Sequence, residues 1–192
     1  MDLQQTRREQ ASPPRPAHAP ASLDALAAMR AEELGRLYAR GAVPASLAAL
    51  DGHPRGRMLA VRGLDAGAFG DALRRFAGAA AFPWGGKSFT SREAAAGAGV
   101  NRVHLGGRHQ LFPFLTRLGP SEVDGKPAVI LDYDLPDNPG LIRAIHDEVR
   151  EVSPGLYLGP AMFKTASGPK LVLWFALDTR DQQKPVGWRS TF

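Results

Sequence analysis

Two stretches of this chain carry side chains whose types and spacing could do chemistry, while its 5 histidines are scattered. The first is Ile130-Leu131-Asp132-Tyr133-Asp134, an apolar run ending in a carboxylate, a phenol and a second carboxylate, with Arg143, Asp147, Glu148 and Arg150 close behind. Alternate positions of a strand face opposite sides, so Asp132 and Asp134 share one face and Tyr133 takes the other. Two arrangements fit these residues. In one, Arg143 and Arg150 partner the carboxylates in a solvated ion-pair cluster at the rim of a sheet. In the other, the group is a polar patch at the mouth of an apolar cavity, where Asp132, Tyr133 and Glu148 orient a ligand or move a proton.

The second set is Trp84, Lys87 and Phe89, with Tyr157 and Trp174 further on. Tyr157 stands between Leu156 and Leu158, so its phenol takes whichever side of a strand the leucines leave. Trp and Tyr carry a polar handle that needs a partner when buried. A buried Lys87 would have a depressed pKa and could serve as a base or an anion clamp. At the surface it would simply extend its ammonium into water.

Several chemistries are excluded. Gly85-Gly86-Lys87-Ser88 ends like a phosphate loop, but Ala81 stands where the first glycine is required and Pro83-Trp84 fill the loop. There is no His-Glu-x-x-His motif and no Gly-x-Ser-x-Gly elbow. His18, His53, His104, His109 and His146 lack metal-ligand spacing, and an odd separation puts His104 and His109 on opposite faces of a continuous strand. The chain has no cysteine, so disulfides, thiolate metal sites and a cysteine nucleophile are out. We therefore expect no metal and no cofactor.

These residues must be positioned by a chain of 192 residues, 44% hydrophobic, which is enough for one core. The 21 glycines and 16 prolines point to many turns. The net charge of +5 is spread over arginines that occur singly or in pairs among acids, so nucleic acid is not an expected partner. No run approaches the roughly 18 apolar residues of a membrane-spanning helix. The polar first ten or so residues lack the apolar centre of a secretory signal, and the expected location is cytoplasmic.

Residues 1–21, with four prolines and almost no large apolar side chain, read as a disordered tail. A helix should start at the N-cap Ser22 and present Leu23, Leu26, Arg30, Leu34, Leu37 and Tyr38 on one face, ending at Gly41. Shorter helices are expected over 45–50 and 68–79, with a strand over 57–62 between them and a turn-rich aromatic segment over 82–89. The alanine- and glycine-rich 91–99 reads as a loop. Strands follow over 101–105, 111–118, 127–133, 148–152, 156–163 and 170–177, with a hairpin signal at Asp124-Gly125. A helix over 140–146 interrupts them, with Asn138 as cap and Pro139 in the first position. Such a meander curls into a barrel. The fold class is α+β, mainly β: one barrel domain over 22–180 with short N-terminal helices, and a tail over 181–192.

The order of landmarks carries a resemblance. Gly52-His53-Pro54-Arg55-Gly56 comes first, then Pro83-Trp84-Gly85-Gly86-Lys87-Ser88-Phe89, then Leu131-Asp132-Tyr133-Asp134 and Leu156-Tyr157-Leu158-Gly159. This is similar to lipocalin-like, calycin-type bacterial proteins of the GXWXG type, with a Gly-x-Trp-x-Gly entry, a Trp-x-Gly-Lys-x-Phe segment and a late meander. Pro54 stands where the tryptophan of the entry motif would be. The resemblance implies a small calycin-like barrel.

From the barrel reading we expect a cavity that binds a small hydrophobic or amphipathic molecule, lined by Trp84, Lys87, Phe89, Phe112, Phe114, Ile130, Arg143, Leu156 and Trp174. The alternative is a cofactor-independent isomerase or cyclase, with Asp132, Tyr133, Glu148 and Tyr157 as acid–base groups in that cavity. A third possibility is an interaction protein with a solid core.

Overall fold

Apolar, β-favouring runs separated by turns fill the second half of the chain, and the sheet they build closes on itself. The computed structural model describes residues 20–61, 84–104, 106–184 and 189–190. Its strands are β1 (Pro54–Val61), β2 (Trp84–Glu93), β3 (Ala96–His104), β4 (Arg108–Pro120), β5 (Pro127–Asp132), β6 (Ile145–Ser153), β7 (Leu156–Phe163), β8 (Lys170–Gln182) and the short β9 (Arg189–Ser190). From β1 to β8 each pairs antiparallel with its neighbour in the chain, and β1 pairs with β8 to close an eight-stranded barrel. Closure removes the free edges that an open sheet would present. This is the mainly β class that the sequence pointed to. β9 joins β4 in parallel at His109 and Gln110, within the segment expected as a tail.

Two apolar cores lie on the two faces of the barrel wall. The inner one includes Phe89, Phe114, Leu131, Val149, Tyr157, Phe175 and Leu177. A 3-10 helix (Leu47–Leu50) plugs one end, with Leu47 and Leu50 buried in that core. It is tied down by Leu47 N donating to Ala94 O at 2.8 Å and by the Asp51 carboxylate, which accepts from Ser91 N at 2.7 Å and Ser91 Oγ at 2.6 Å. The outer core packs Leu26, Leu34 and Tyr38, from α1 (Leu23–Ala27) and α2 (Ala31–Tyr38), against Leu156, Leu158, Trp174 and Ala176.

The structure departs from the expected elements elsewhere as well. The single N-terminal helix is two, because Arg30 is extended and its amide is capped by Glu33 Oε2 at 2.7 Å. The expected loop at 91–99 is the β2–β3 hairpin. Its small residues suit close packing, since a Cβ on Gly99 would strike the Phe114 ring and one on Gly97 the Thr116 hydroxyl. Asn138 does not cap the helix α3 (Gly140–Arg143), which starts after Pro139 and is followed by β6 at Ile145. Its amide instead donates to Pro113 O and Tyr133 O, both at 2.8 Å. The expected helix at 68–79 and most of the N-terminal tail lie outside the described residues. Among the described residues no helix is long and apolar enough to cross a membrane.

Candidate ligand cavity and its buried lysine

Strand β2 opposes Trp84 to Val103 and Gly86 to Arg102, so one extra residue is accommodated at Gly85. This bulge lets Trp84 and Lys87, three positions apart, both line the barrel interior. Room for the indole comes from the β1–β2 crossing, where a Cβ on Gly56 would meet Gly86 Cα and the Trp84 ring. Trp84 packs edge-on against Phe175, with ring centroids 5.9 Å apart.

Lys87 is 3% exposed. Its ammonium donates to Asn101 Oδ1 at 2.8 Å, Tyr133 Oη at 2.5 Å and Asp147 Oδ2 at 2.9 Å. The rings of Trp84, Phe114, Tyr133 and Phe175 lie 5.1–5.4 Å from Nζ, a distance at which aromatic faces favour a cation. Tyr133 donates to Asp147 Oδ2 at 2.9 Å. Asn101 donates to Phe112 O at 3.2 Å and Tyr133 Oη at 3.3 Å, and its Oδ1 also accepts from Trp84 Nε1 at 3.0 Å. Phe112 is the residue β4 adds opposite the Val100/Asn101 step, and it sits at φ 60°, a left-handed backbone for a bulky side chain.

Burial lowers the Lys87 pKa, with the charge of Asp147 and its hydrogen bond opposing that shift. Tyr133 is held well above its ordinary value, first by burial and then by the Asp147 charge. Every donor in the cluster has a partner. Asp147 Oδ1 has none, although it is buried. Leaving a buried acceptor unmatched costs about 1–3 kcal/mol.

The cluster borders a cavity of about 340 Å³ at the barrel end opposite the plug. Met58, Trp84, Val103, Phe112, Ile142, Ile145, Ala161, Leu173 and Phe175 line it, together with Lys87, Asn101, Tyr133 and Asp147. Its surface is almost wholly apolar, and the polar atoms lie just behind that surface.

Of the residues proposed from sequence, Trp84, Lys87, Phe112 and Tyr133 come together here. Phe89, Phe114 and Tyr157 are in the inner core without lining the cavity, and burial near Glu151 pushes the Tyr157 phenol up to about 12. Leu156 and Trp174 face the helices instead, because strand alternation gives the inward positions to Tyr157, Leu173 and Phe175. Ile130 sits beside Glu148 in the sheet and shares its outward parity. Asp132 is on the outer surface, 3.6 Å from Lys164, and Arg143 pairs with Asp134 at 2.6 Å in solvent.

Glu148 is fully buried but on the outer side. Its carboxylate accepts from Tyr38 Oη at 2.6 Å and from Glu122 N at 2.7 Å, and faces His146 Nε2 at 3.0 Å. Burial alone would raise its pKa, and these hydrogen bonds bring it below the ordinary value. Sequence reasoning missed Asn101 and Asp147 as cavity residues. The parity of Asp147 with Ile145 and Val149 on β6 is the signal that finds it. Among the described residues no three acidic or histidine side chains converge to hold a metal ion.

A solved structure of a protein from Thermomonospora curvata is similar to this chain, with 22% identity, covering 78% of this chain and 87% of that one, at a TM-score of 0.44. No family model and no curated protein matches the chain.

Proposed function

We propose that the protein binds a small apolar or mixed-polarity molecule inside the barrel. The observation that carries this reading is the cavity of about 340 Å³, apolar over nearly all its surface and backed by one charge-paired cluster. Its size lies at the lower end of the roughly 300–1,000 Å³ of small-molecule sites, and a few polar groups among apolar walls is their usual composition. A cavity of this size speaks against the solid core of a pure interaction protein. The test is titration of an apolar fluorescent dye into the parent and into Ala161→Phe, which fills the space from the wall. The parent should take up the dye and the folded variant should not. Equal uptake by both sinks the reading.

A second reading, a cofactor-independent isomerase or cyclase, is favoured by the unpartnered oxygen of Asp147 beside Tyr133 and Lys87. A carboxylate with a free oxygen is a competent base, and the phenol and ammonium are proton donors held against it. This reading calls for solvent deuterium to enter the α-carbon of a bound apolar ketone with the parent, and not with Asp147→Asn. No exchange above the buffer rate in the parent removes it.

A further inference from the structure

The hydrogen-bonding groups around the cavity are unbalanced. All three N–H groups of the Lys87 ammonium are used, as are both of the Asn101 amide, the Tyr133 hydroxyl and the Trp84 indole N–H. One acceptor is left over, Oδ1 of Asp147, on a carboxylate that lines the cavity and whose other oxygen is turned toward Lys87 and Tyr133. Oδ1 is shielded from the cavity surface, so a ligand polar group that pushes through to this layer finds an acceptor and no free donor.

Resting on the reading of this cavity as a binding site, we propose that its ligand is a neutral apolar molecule ending in a hydroxyl, an alcohol or phenol that donates to Asp147 Oδ1, and that the site excludes carboxylates and other anions.

The alternatives fail on chemistry. A carboxylate or phosphate would find the single cation of the cluster already matched by Asp147, with every one of its protons in use. It would then stand unpaired beside another negative charge in an apolar enclosure, where such repulsion is strong. An ammonium ligand would bring a second cation next to Lys87 with one carboxylate between them. On the binding reading, with the cluster's donors all engaged, ketones, esters and amides present a carbonyl that no group is free to donate to, a buried polar atom without a partner. A hydroxyl needs only to give its one proton. Oδ1 lies behind the cavity surface, which favours a slender terminal group over a branched one.

The experiment displaces the apolar dye from the parent protein with naphthol, methylnaphthalene and naphthoate, matched at the ring position, at neutral pH where only naphthoate is ionised. Naphthol should compete on the order of tenfold or more tightly than methylnaphthalene, the gain of one hydrogen bond to a charged acceptor, and naphthoate should not compete. Methylnaphthalene equalling naphthol, or naphthoate competing best, overturns the hydroxyl assignment while leaving the binding cavity standing. Failure of every probe, with no dye uptake, overturns the cavity reading and the assignment with it. The double variant Lys87→Met/Asp147→Leu removes the acceptor and the charge it matches. It should bind naphthol and methylnaphthalene alike, and a preference that survives in it places the hydroxyl elsewhere and defeats the proposal. The comparison on the parent decides the question even if that variant does not fold.

Discussion

Strand β6 carries two buried polar clusters back to back, and they are built to different ends. On its outer side Arg150 is fully buried, yet its guanidinium reaches both oxygens of Asp124 at 2.9 and 2.7 Å and the carbonyls of Tyr38, Lys126 and Pro127 at 3.2, 2.9 and 2.8 Å. It also lies over the Tyr38 ring, 4.3 Å from its centroid. Glu148 beside it has partners on both oxygens. This outer cluster binds α2, the β4–β5 turn and β6 together. On the inner side Asp147, a residue that borders the cavity, holds Lys87 and Tyr133 with one oxygen and leaves the other buried without a partner. A buried cluster with every group matched is a joint. One with a spare acceptor beside a cavity fits the binding site proposed above, where a ligand would complete it.

The contrast breaks most visibly if Arg150 is removed. Arg150→Met leaves Asp124 to solvent but strips the carbonyls of Tyr38, Lys126 and Pro127 of their donor, and at about 1–3 kcal/mol for each unsatisfied buried acceptor the loss comes to roughly 3–5 kcal/mol. Urea unfolding should show a loss of that size, with dye affinity at low denaturant unchanged. The inner pair should behave otherwise when both partners go. Lys87→Met/Asp147→Leu exchanges a buried ion pair for apolar groups, which is often neutral or stabilising. If Arg150→Met loses less than about 1 kcal/mol, or the double variant loses as much as Arg150→Met, the distinction between joint and site collapses.

The barrel was legible because apolar, β-favouring runs recur between turn signals through the second half, and β7 was read to its observed ends, Leu156 to Phe163. Which side of each strand is inside was not legible. The helices cover the outer face of the barrel wall, so Leu156, Tyr157 and Leu158 are all buried, as are Trp174, Phe175, Ala176 and Leu177. Alternation separates inside from outside only where one face is wet. That is why Leu156 and Trp174 stood among the expected cavity residues beside Lys87 and Phe112. Asp147 and Glu148 posed the same difficulty, two adjacent buried carboxylates with nothing local to assign them. The pairing of Trp84 with Lys87 depends on the Gly85 bulge, and strict alternation would have sent them to opposite faces. The hairpin over 91–99 was hidden because its alanines and glycines answer to Phe114 and Thr116 on the next strand, not to local propensity.

Acid sharpens the contrast by a smaller amount. The Arg150 guanidinium holds the Asp124 carboxyl down at about 2, from an ordinary 3.8. A depressed carboxylate contributes stability that is present above its unfolded value and lost as the pH falls through its folded one. The outer joint should therefore weaken between about pH 4 and pH 2, by roughly 1–2 kcal/mol from this group at most, since Asp124 sits at the protein surface and solvent screens its side of the pair. Stability curves over that range on the parent and on Asp124→Asn are the measurement. The parent should lose more than the variant by this amount, and parallel curves would show that Asp124 is not what acid attacks.

The smallest effect probes the backbone beneath the inner cluster. Among the described non-glycine residues, positive φ occurs at Phe112, whose carbonyl accepts from the Asn101 amide. No such residue underlies the outer joint. In an ordinary strand alanine is more stable than glycine by roughly 0.5–1 kcal/mol, because glycine has more conformational freedom to lose. At φ 60° the order reverses, since a Cβ costs roughly 1–2 kcal/mol there and glycine does not bear it. Phe112→Gly should thus be more stable than Phe112→Ala by about 1 kcal/mol, and both remove the same ring, so lost packing cancels in the difference. Phe114→Gly against Phe114→Ala, two residues along the same strand, should show the usual order. Alanine winning at both positions would mean that the cavity wall stores no strain, and that the inner cluster rests on backbone as relaxed as the outer one.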